Sequence, residues 1–80
     1  MRVRIYVTPR AGVLDPQGRA VESSLKSLGF AGVNGVQVGR YIVLEVDAPT
    51  HAAAGEAVKR MCEQLLANPV IEDYRFEVDG

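Results

Sequence analysis

The chain has one cysteine, one histidine and no tryptophan among its 80 residues. A lone thiol closes no internal disulfide, and Cys62 with His51 cannot build a metal cage. Basic residues are not in excess: nine Lys and Arg stand against ten Asp and Glu, for a net charge of −1. The chain as a whole therefore has no electrostatic footprint for nucleic acid. No apolar run approaches the ~20 residues that cross a bilayer. The opening "MRVRIYVTPR" mixes arginines with its apolar residues, unlike a secretory signal, so a cytoplasmic location is expected. There is no repeat, low-complexity tract or linker, and the length suits a single domain over residues 1–80.

Small size has a consequence of its own. A chain this short buries only roughly 60 % of its unfolded surface. Ordering costs about 1.5 kcal/mol per residue, which nearly cancels the gain from burial. With no disulfide to help, burial against another subunit is the expected remedy, and a homodimer or tetramer is the expected state.

The patterning that is present is regular. Residues 2–8 alternate, with Val3, Ile5 and Val7 on one face and Arg2, Arg4, Tyr6 and Thr8 on the other, as in a half-covered strand. Over 16–28 the period becomes helical through Ala20, Val21, Leu25 and Leu28, and Gly29 follows as a stop. "GVQV" reads as a short strand and Gly39-Arg40 as a tight turn. "YIVLEV" then reads as a strand, with Ile42, Leu44 and Val46 facing one way and Tyr41, Val43 and Glu45 the other. The second helix follows, with Thr50 as N-cap and a buried stripe of Ala54, Ala57, Val58, Met61, Cys62, Leu65 and Leu66. Asn68-Pro69 ends it. The tail alternates again through Tyr74, Phe76 and Val78.

The order β-α-β-β-α-β predicts an α+β, ferredoxin-like fold: a four-stranded antiparallel sheet with two helices on one face. The other face would carry Arg2, Arg4, Tyr6, Tyr41, Val43 and Glu45. That mixture is too apolar for a plain solvent face, and it is a candidate oligomer face, with the protein oligomerising through the sheet.

"GVLDPQG" carries the densest local signal. Proline suits the first helical position, and the preceding aspartate suits the N-cap, so Asp15-Pro16 reads as a helix start. The same carboxylate would repel a phosphate from that helix end, and the glycines match no phosphate-binding pattern. No histidine, nucleophile or second acid stands beside Asp15 to make it catalytic. Gly18 weakens a first helical turn, which suggests that something packs closely over it, and Gly12 suggests a special backbone angle or another close approach.

Three stretches, "GVLDPQGRAVESSLKSLGF", "VGRYIVLEV" and "MCEQLLANPVIEDY", resemble the PurS family, the small accessory subunits of bacterial phosphoribosylformylglycinamidine (FGAM) synthase. The resemblance runs in order over nearly the whole chain. It implies a subunit with no catalytic residue of its own, acting as a dimer in de novo purine biosynthesis. It would bridge a glutaminase subunit (PurQ) and a large synthetase subunit (PurL) and assist ammonia transfer between them. ATP and Mg would belong to the synthetase, with no cofactor on this chain, no metal, no membrane and no nucleic acid partner. The family motifs fall on Gly12, Val13, Leu14, Asp15, Pro16, Gln17 and Gly18, and on the stretch 65–72, which includes Asn68, Pro69 and Glu72. Arg10 stands where the family often has lysine before the first motif. Arg10, Gly12, Asp15, Pro16, Gln17, Gly18, Asn68, Pro69 and Glu72 are thus expected interface or structural positions.

Plainer roles and rival functions stand beside these. Cys62 on the apolar stripe reads as a buried structural thiol, His51 as an exposed first-turn residue and Asn68 as a helix-end cap. Arg2 and Arg4 could simply keep a strand soluble, and Glu72 and Asp73 could be solvent charges or rim contacts. An RNA-binding module shares the topology and could use Tyr6 and Tyr41, but its aromatic signature is absent. An ACT-type amino-acid-binding module has a comparable acid and glycine in its first loop, and fold alone does not choose between them.

Overall fold

A computed structural model of the chain describes residues 1–12 and 15–79. Its elements are β1 (Arg2–Pro9), α1 (Pro16–Ser27), β2 (Arg40–Glu45), α2 (His51–Met61) and β3 (Glu72–Asp79), with a π-helical turn over Cys62–Leu66. The strands form an antiparallel sheet in the order β2-β1-β3. Ile5 stands opposite Ile42 on one side and Phe76 on the other, so the period-two pattern places all the alternating apolar residues on one face.

That face receives α2. Val3, Ile5 and Val7 are fully buried beneath Ala54, Val58 and Cys62, with Leu44, Phe76 and Val78 at the margins. Burying a valine such as Val58 stabilises by about 1.5 kcal/mol or more. Alanine at 54 lets helix and sheet approach. Thr50 caps α2 as expected, its hydroxyl accepting from the Ala53 N–H at 3.0 Å. Cys62 is buried, and burial pushes its thiol pKa up, so it is the structural residue the sequence suggested.

The apolar stripe of α2 holds through Cys62 and again at Leu66, which packs against the core, but Met61 and Leu65 depart from it. The Ala67 N–H donates to the Cys62 carbonyl, an i→i+5 bond that closes a wider turn. The wider turn changes the angular phase, so Leu65 faces solvent at 83 % exposure instead of joining the core, and Met61 is exposed as well.

The fold is α+β, but the sheet has three strands, not the four expected. Residues 36–39 enter no ladder and carry no turn, and the chain passes through Gly39 directly into β2. A two-residue hairpin needs positive φ at its centre. Among the described residues only Gly12, Gly29 and Gly35 have it. A competitor for the backbone also exists. Glu22 on α1 accepts from the N–H groups of Gly35 (2.7 Å) and Val36 (3.4 Å), and Asp15 accepts from Val38 (3.0 Å). These donors are used by helix carboxylates instead of a neighbouring strand.

The two helices therefore do not lie side by side on the sheet. α1 and its N-cap hold residues 35–38 through Glu22 and Asp15 to make an arm, and Gly18 is the only buried residue of α1. Leu28 (74 %) and Phe30 (56 %) are exposed, as are Val21 and Val38. The molecule measures 51 × 24 × 14 Å, with a radius of gyration of 15.9 Å. A compact chain of this length would have about 12 Å.

Candidate functional site

At the base of the arm, the starts of α1, β2 and β3 meet the end of β1. They enclose a cleft of about 500 Å³ whose walls include Pro9, Asp15, Gln17, Arg40, Ile71 and Glu72. All three stretches that carried the resemblance meet here: the first supplies Asp15, Pro16 and Gln17, the second Val38, Gly39 and Arg40, and the third Ile71 and Glu72.

Asp15 is the N-cap the sequence predicted. Its Oδ1 accepts from the Gly18 N–H at 3.1 Å, while Oδ2 accepts from Val38 at 3.0 Å, and Pro16 opens the helix. One carboxylate thus starts α1 and ties Val38 of the arm to it. Gly18 is under close approach as expected, but from within the chain: a Cβ there would overlap the Val36 carbonyl oxygen. Gly12 has φ +83° and no atom within 4 Å of a would-be Cβ, so its requirement is conformational. The motif residues Val13 and Leu14 lie outside the described residues.

The opposite wall is held by Glu72. Its Oε1 accepts from the Asn68 N–H at 2.7 Å and from Arg40 Nη2 at 3.0 Å, and the same Arg40 nitrogen donates to the Leu66 carbonyl at 2.7 Å. Arg10 Nε donates to the Glu72 carbonyl at 3.3 Å and lies 3.4 Å from Asp73 Oδ1. Glu72 is thus a staple across loop 66–72 and not a solvent charge. Asn68 does not cap the helix: its Oδ1 accepts from the Val70 N–H and its carbonyl from Ile71 and Glu72, making the turn that Pro69 occupies. Arg40 and Glu22 are the site residues that sequence reasoning missed. Arg40 was assigned to a turn that does not form, and Glu22, though inside the first family stretch, was given no role.

Electrostatics follow from these bonds. The Val38 and Gly18 N–H groups lower the Asp15 pKa, the Gly35 and Val36 N–H groups lower that of Glu22, and the Asn68 N–H, aided by Arg40, lowers that of Glu72. Groups with a depressed folded pKa contribute stability above their unfolded values of about 3.9 (Asp) and 4.3 (Glu), and lose it as pH falls through the folded values. Stability is therefore expected to be insensitive to these groups from neutral pH to about 5 and to drop below about 4. Urea midpoints measured across that range check this, and an Asp15→Asn/Glu22→Gln variant should show a shallower acid drop than wild type.

The open sheet face carries the predicted candidate oligomer residues, on the side away from α2. Tyr6 and Tyr41 pair at 5.1 Å between ring centroids, and the Arg75 guanidinium lies 3.9 Å from the Tyr6 centroid. Arg4 bridges Glu77 and Asp79, both at 3.0 Å, while Val43 and Tyr41 stay exposed. Arg75 covers the ring face on which an RNA base would stack. Arg2 is also exposed on this face.

The described residues contain no cluster of three or more His, Cys, Asp or Glu side chains arranged to hold a metal ion, and no helix long and apolar enough to cross a membrane. Residues 2–80 match the family described as PurS, phosphoribosylformylglycinamidine (FGAM) synthase. A relative from Synechocystis, phosphoribosylformylglycinamidine synthase subunit PurS, is 55 % identical over 94 % of this chain and 75 % of its own length. The Bacillus subtilis PurS subunit is 45 % identical over 98 % of this chain and 92 % of its own. Among solved structures, B. subtilis PurS superposes with a TM-score of 0.89 at 44 % identity, covering 99 % of this chain and 98 % of that one. A chain of the Thermotoga maritima PurLQS structure gives 0.84 at 38 % identity over 95 % and 93 %. With two motif stretches built into one cleft and likeness along the whole chain, this protein belongs to the PurS family of FGAM synthase subunits.

Proposed function

We propose that this chain is the non-catalytic adaptor of a cytoplasmic FGAM synthase. It bridges the glutaminase PurQ and the ATP-dependent synthetase PurL and assists the passage of ammonia. The complex converts FGAR, glutamine and ATP to FGAM and glutamate, with ATP and Mg on the synthetase. The observation that carries this reading is family likeness over residues 2–80, including a chain of a solved PurLQS structure. Ammonia in bulk water becomes protonated and is lost as a nucleophile, so shielding its path is useful work that needs shape and no reactive side chain.

Self-association is part of the same reading. The arm exposes Val21, Leu28 and Phe30, and β2 keeps a free edge. A second copy covering these surfaces would bury what one chain leaves exposed. Its residues 36–39 could add the fourth strand of a ferredoxin-like sheet. An isologous pair uses the same patch on both copies. The Tyr- and Arg-rich open face, with Arg2, Arg4, Tyr6, Tyr41 and Val43, remains a second surface for tetramer or partner.

Co-purification tests the proposal. The tagged chain, mixed with synthetase and glutaminase subunits in the presence of glutamine and nucleotide, is expected to retain both and to support glutamine-dependent FGAM formation. Full glutamine-dependent activity of the two larger subunits without this chain would refute the adaptor role.

A further inference from the structure

The arm is joined to the body at its base. No strand and no other helix packs extensively against α1. The bonds that Asp15 and Glu22 make to Gly35, Val36 and Val38 stay within the arm. The arm gives way to the body at Gly39-Arg40. Gly39 lies close against the Val7 and Thr8 backbone, and Arg40 stands opposite Val7 in the last pair of the β1–β2 ladder. Glu72 stands opposite Pro9 in the last pair of the β1–β3 ladder. Beyond Arg40, toward the arm, no ladder fixes the direction of the chain.

Side chains act where the ladders stop. Val7 faces the core, so by strand alternation Arg40 and Glu72 both lie on the α2 side of the sheet. One nitrogen of Arg40, Nη2, donates to the Leu66 carbonyl at 2.7 Å and to Glu72 Oε1 at 3.0 Å. The same Glu72 oxygen accepts from the Asn68 N–H at 2.7 Å. Both flanking strands and the turn after α2 are thus tied at the residue next to the junction. The Glu72 side chain is only 16 % exposed, so this pair is screened less than an open surface pair. Arg40 is half-exposed and is not among the residues packed on the core, so its bonds bear on direction more than on burial. Direction matters because the arm is long. The 12 residues of α1 span about 18 Å, and a turn of about 10° at the base moves the far end by about 3 Å.

We propose that Arg40 is a positioning residue for the coupled reaction: bonded to Glu72 and Leu66, it fixes the angle at which the arm leaves the body, and with it the relative placement of the surfaces on arm and body. The proposal rests on the adaptor reading above and adds the residue that sets the adaptor's geometry. Transfer between separate sites depends on placement, and a misplacement of about 1 Å can cost a hundredfold in rate.

The test uses the complex of this chain with the glutaminase and synthetase subunits, and compares FGAM formation from glutamine with that from added ammonia. Arg40→Met removes both bonds and keeps the apolar stem. Arg40→Lys puts back one nitrogen with three donors, enough for both bonds because a single nitrogen makes them. In Arg40→Met the ratio of glutamine-dependent to ammonia-dependent rate is expected to fall about tenfold or more, with all three subunits still co-purifying. Arg40→Lys is expected to restore the ratio to within about twofold of wild type. An unchanged ratio in Arg40→Met overturns the positioning role while the adaptor reading stands. Loss of co-purification in Arg40→Met, or an Arg40→Lys no better than Arg40→Met, also overturns it, since Arg40 would then be touching a partner itself. A complex whose glutamine-dependent rate is the same with and without the wild-type chain refutes the adaptor reading, and the positioning role with it.

Discussion

Replacing Gly39 by valine is expected to lower the melting temperature by about 10–25 °C, corresponding to roughly 3 kcal/mol for overpacking in a domain of this size. A Cβ at Gly39 would overlap the Val7 carbonyl oxygen and crowd the Thr8 backbone. Val7 is fully buried in the central strand, and its neighbours cannot move without opening the β1–β2 ladder. For a small domain, 3 kcal/mol is a large part of the total stability. Gly18→Ala makes a sharp comparison, because its Cβ meets a backbone oxygen in the same way but in the arm. Hydrogen exchange should then show Val36 and Val38 losing protection while β1 keeps it. Equal melting temperatures for Gly39→Val and wild type would show that the close packing of this strand is not needed.

The second large effect concerns the arm. A Leu28→Asp/Phe30→Asp variant is expected to be monomeric at concentrations where wild type is a dimer or tetramer. Both side chains are more than half exposed in the single chain and lie at and just past the end of α1, in which only Gly18 is buried. Burying a leucine or phenylalanine stabilises by about 1.5–3 kcal/mol. Losing two of them on each copy raises the dissociation constant at least about a thousandfold. Sedimentation velocity reads this directly, and circular dichroism should show α2 and the sheet unchanged. An unaltered oligomer would move the self-contact elsewhere, with the open face around Tyr6 and Tyr41 as the next surface to vary.

Taken together, the two predictions separate what holds one chain together from what joins chains. The core is the sheet with α2. The arm is held to itself by Asp15 and Glu22 and is continuous with the body through Gly39, at the cleft where the family motifs converge.

The amino-acid order by itself determined the elements whose causes are local. Alternation defined β1 and β3, Asp15-Pro16 and Thr50 started the helices, and Gly29, at φ +102°, stopped α1. The motifs also carried the family, because matches of nine to nineteen residues in order are far more specific than any fold pattern. Tertiary structure decided the rest, since it turned on competition between distant groups. The N–H groups of Gly35, Val36 and Val38 went to carboxylates on α1, leaving three strands where the pattern suggested four. A single i→i+5 bond at Ala67 turned Leu65 outward, although its spacing was that of a core residue. Arg40 and Glu72, 32 positions apart, became one staple only when β2 and β3 flanked β1. Periodicity records what a residue's own helix or strand requires. It does not record which of several possible acceptors wins a given N–H, and in this chain those choices shaped both the arm and the cleft.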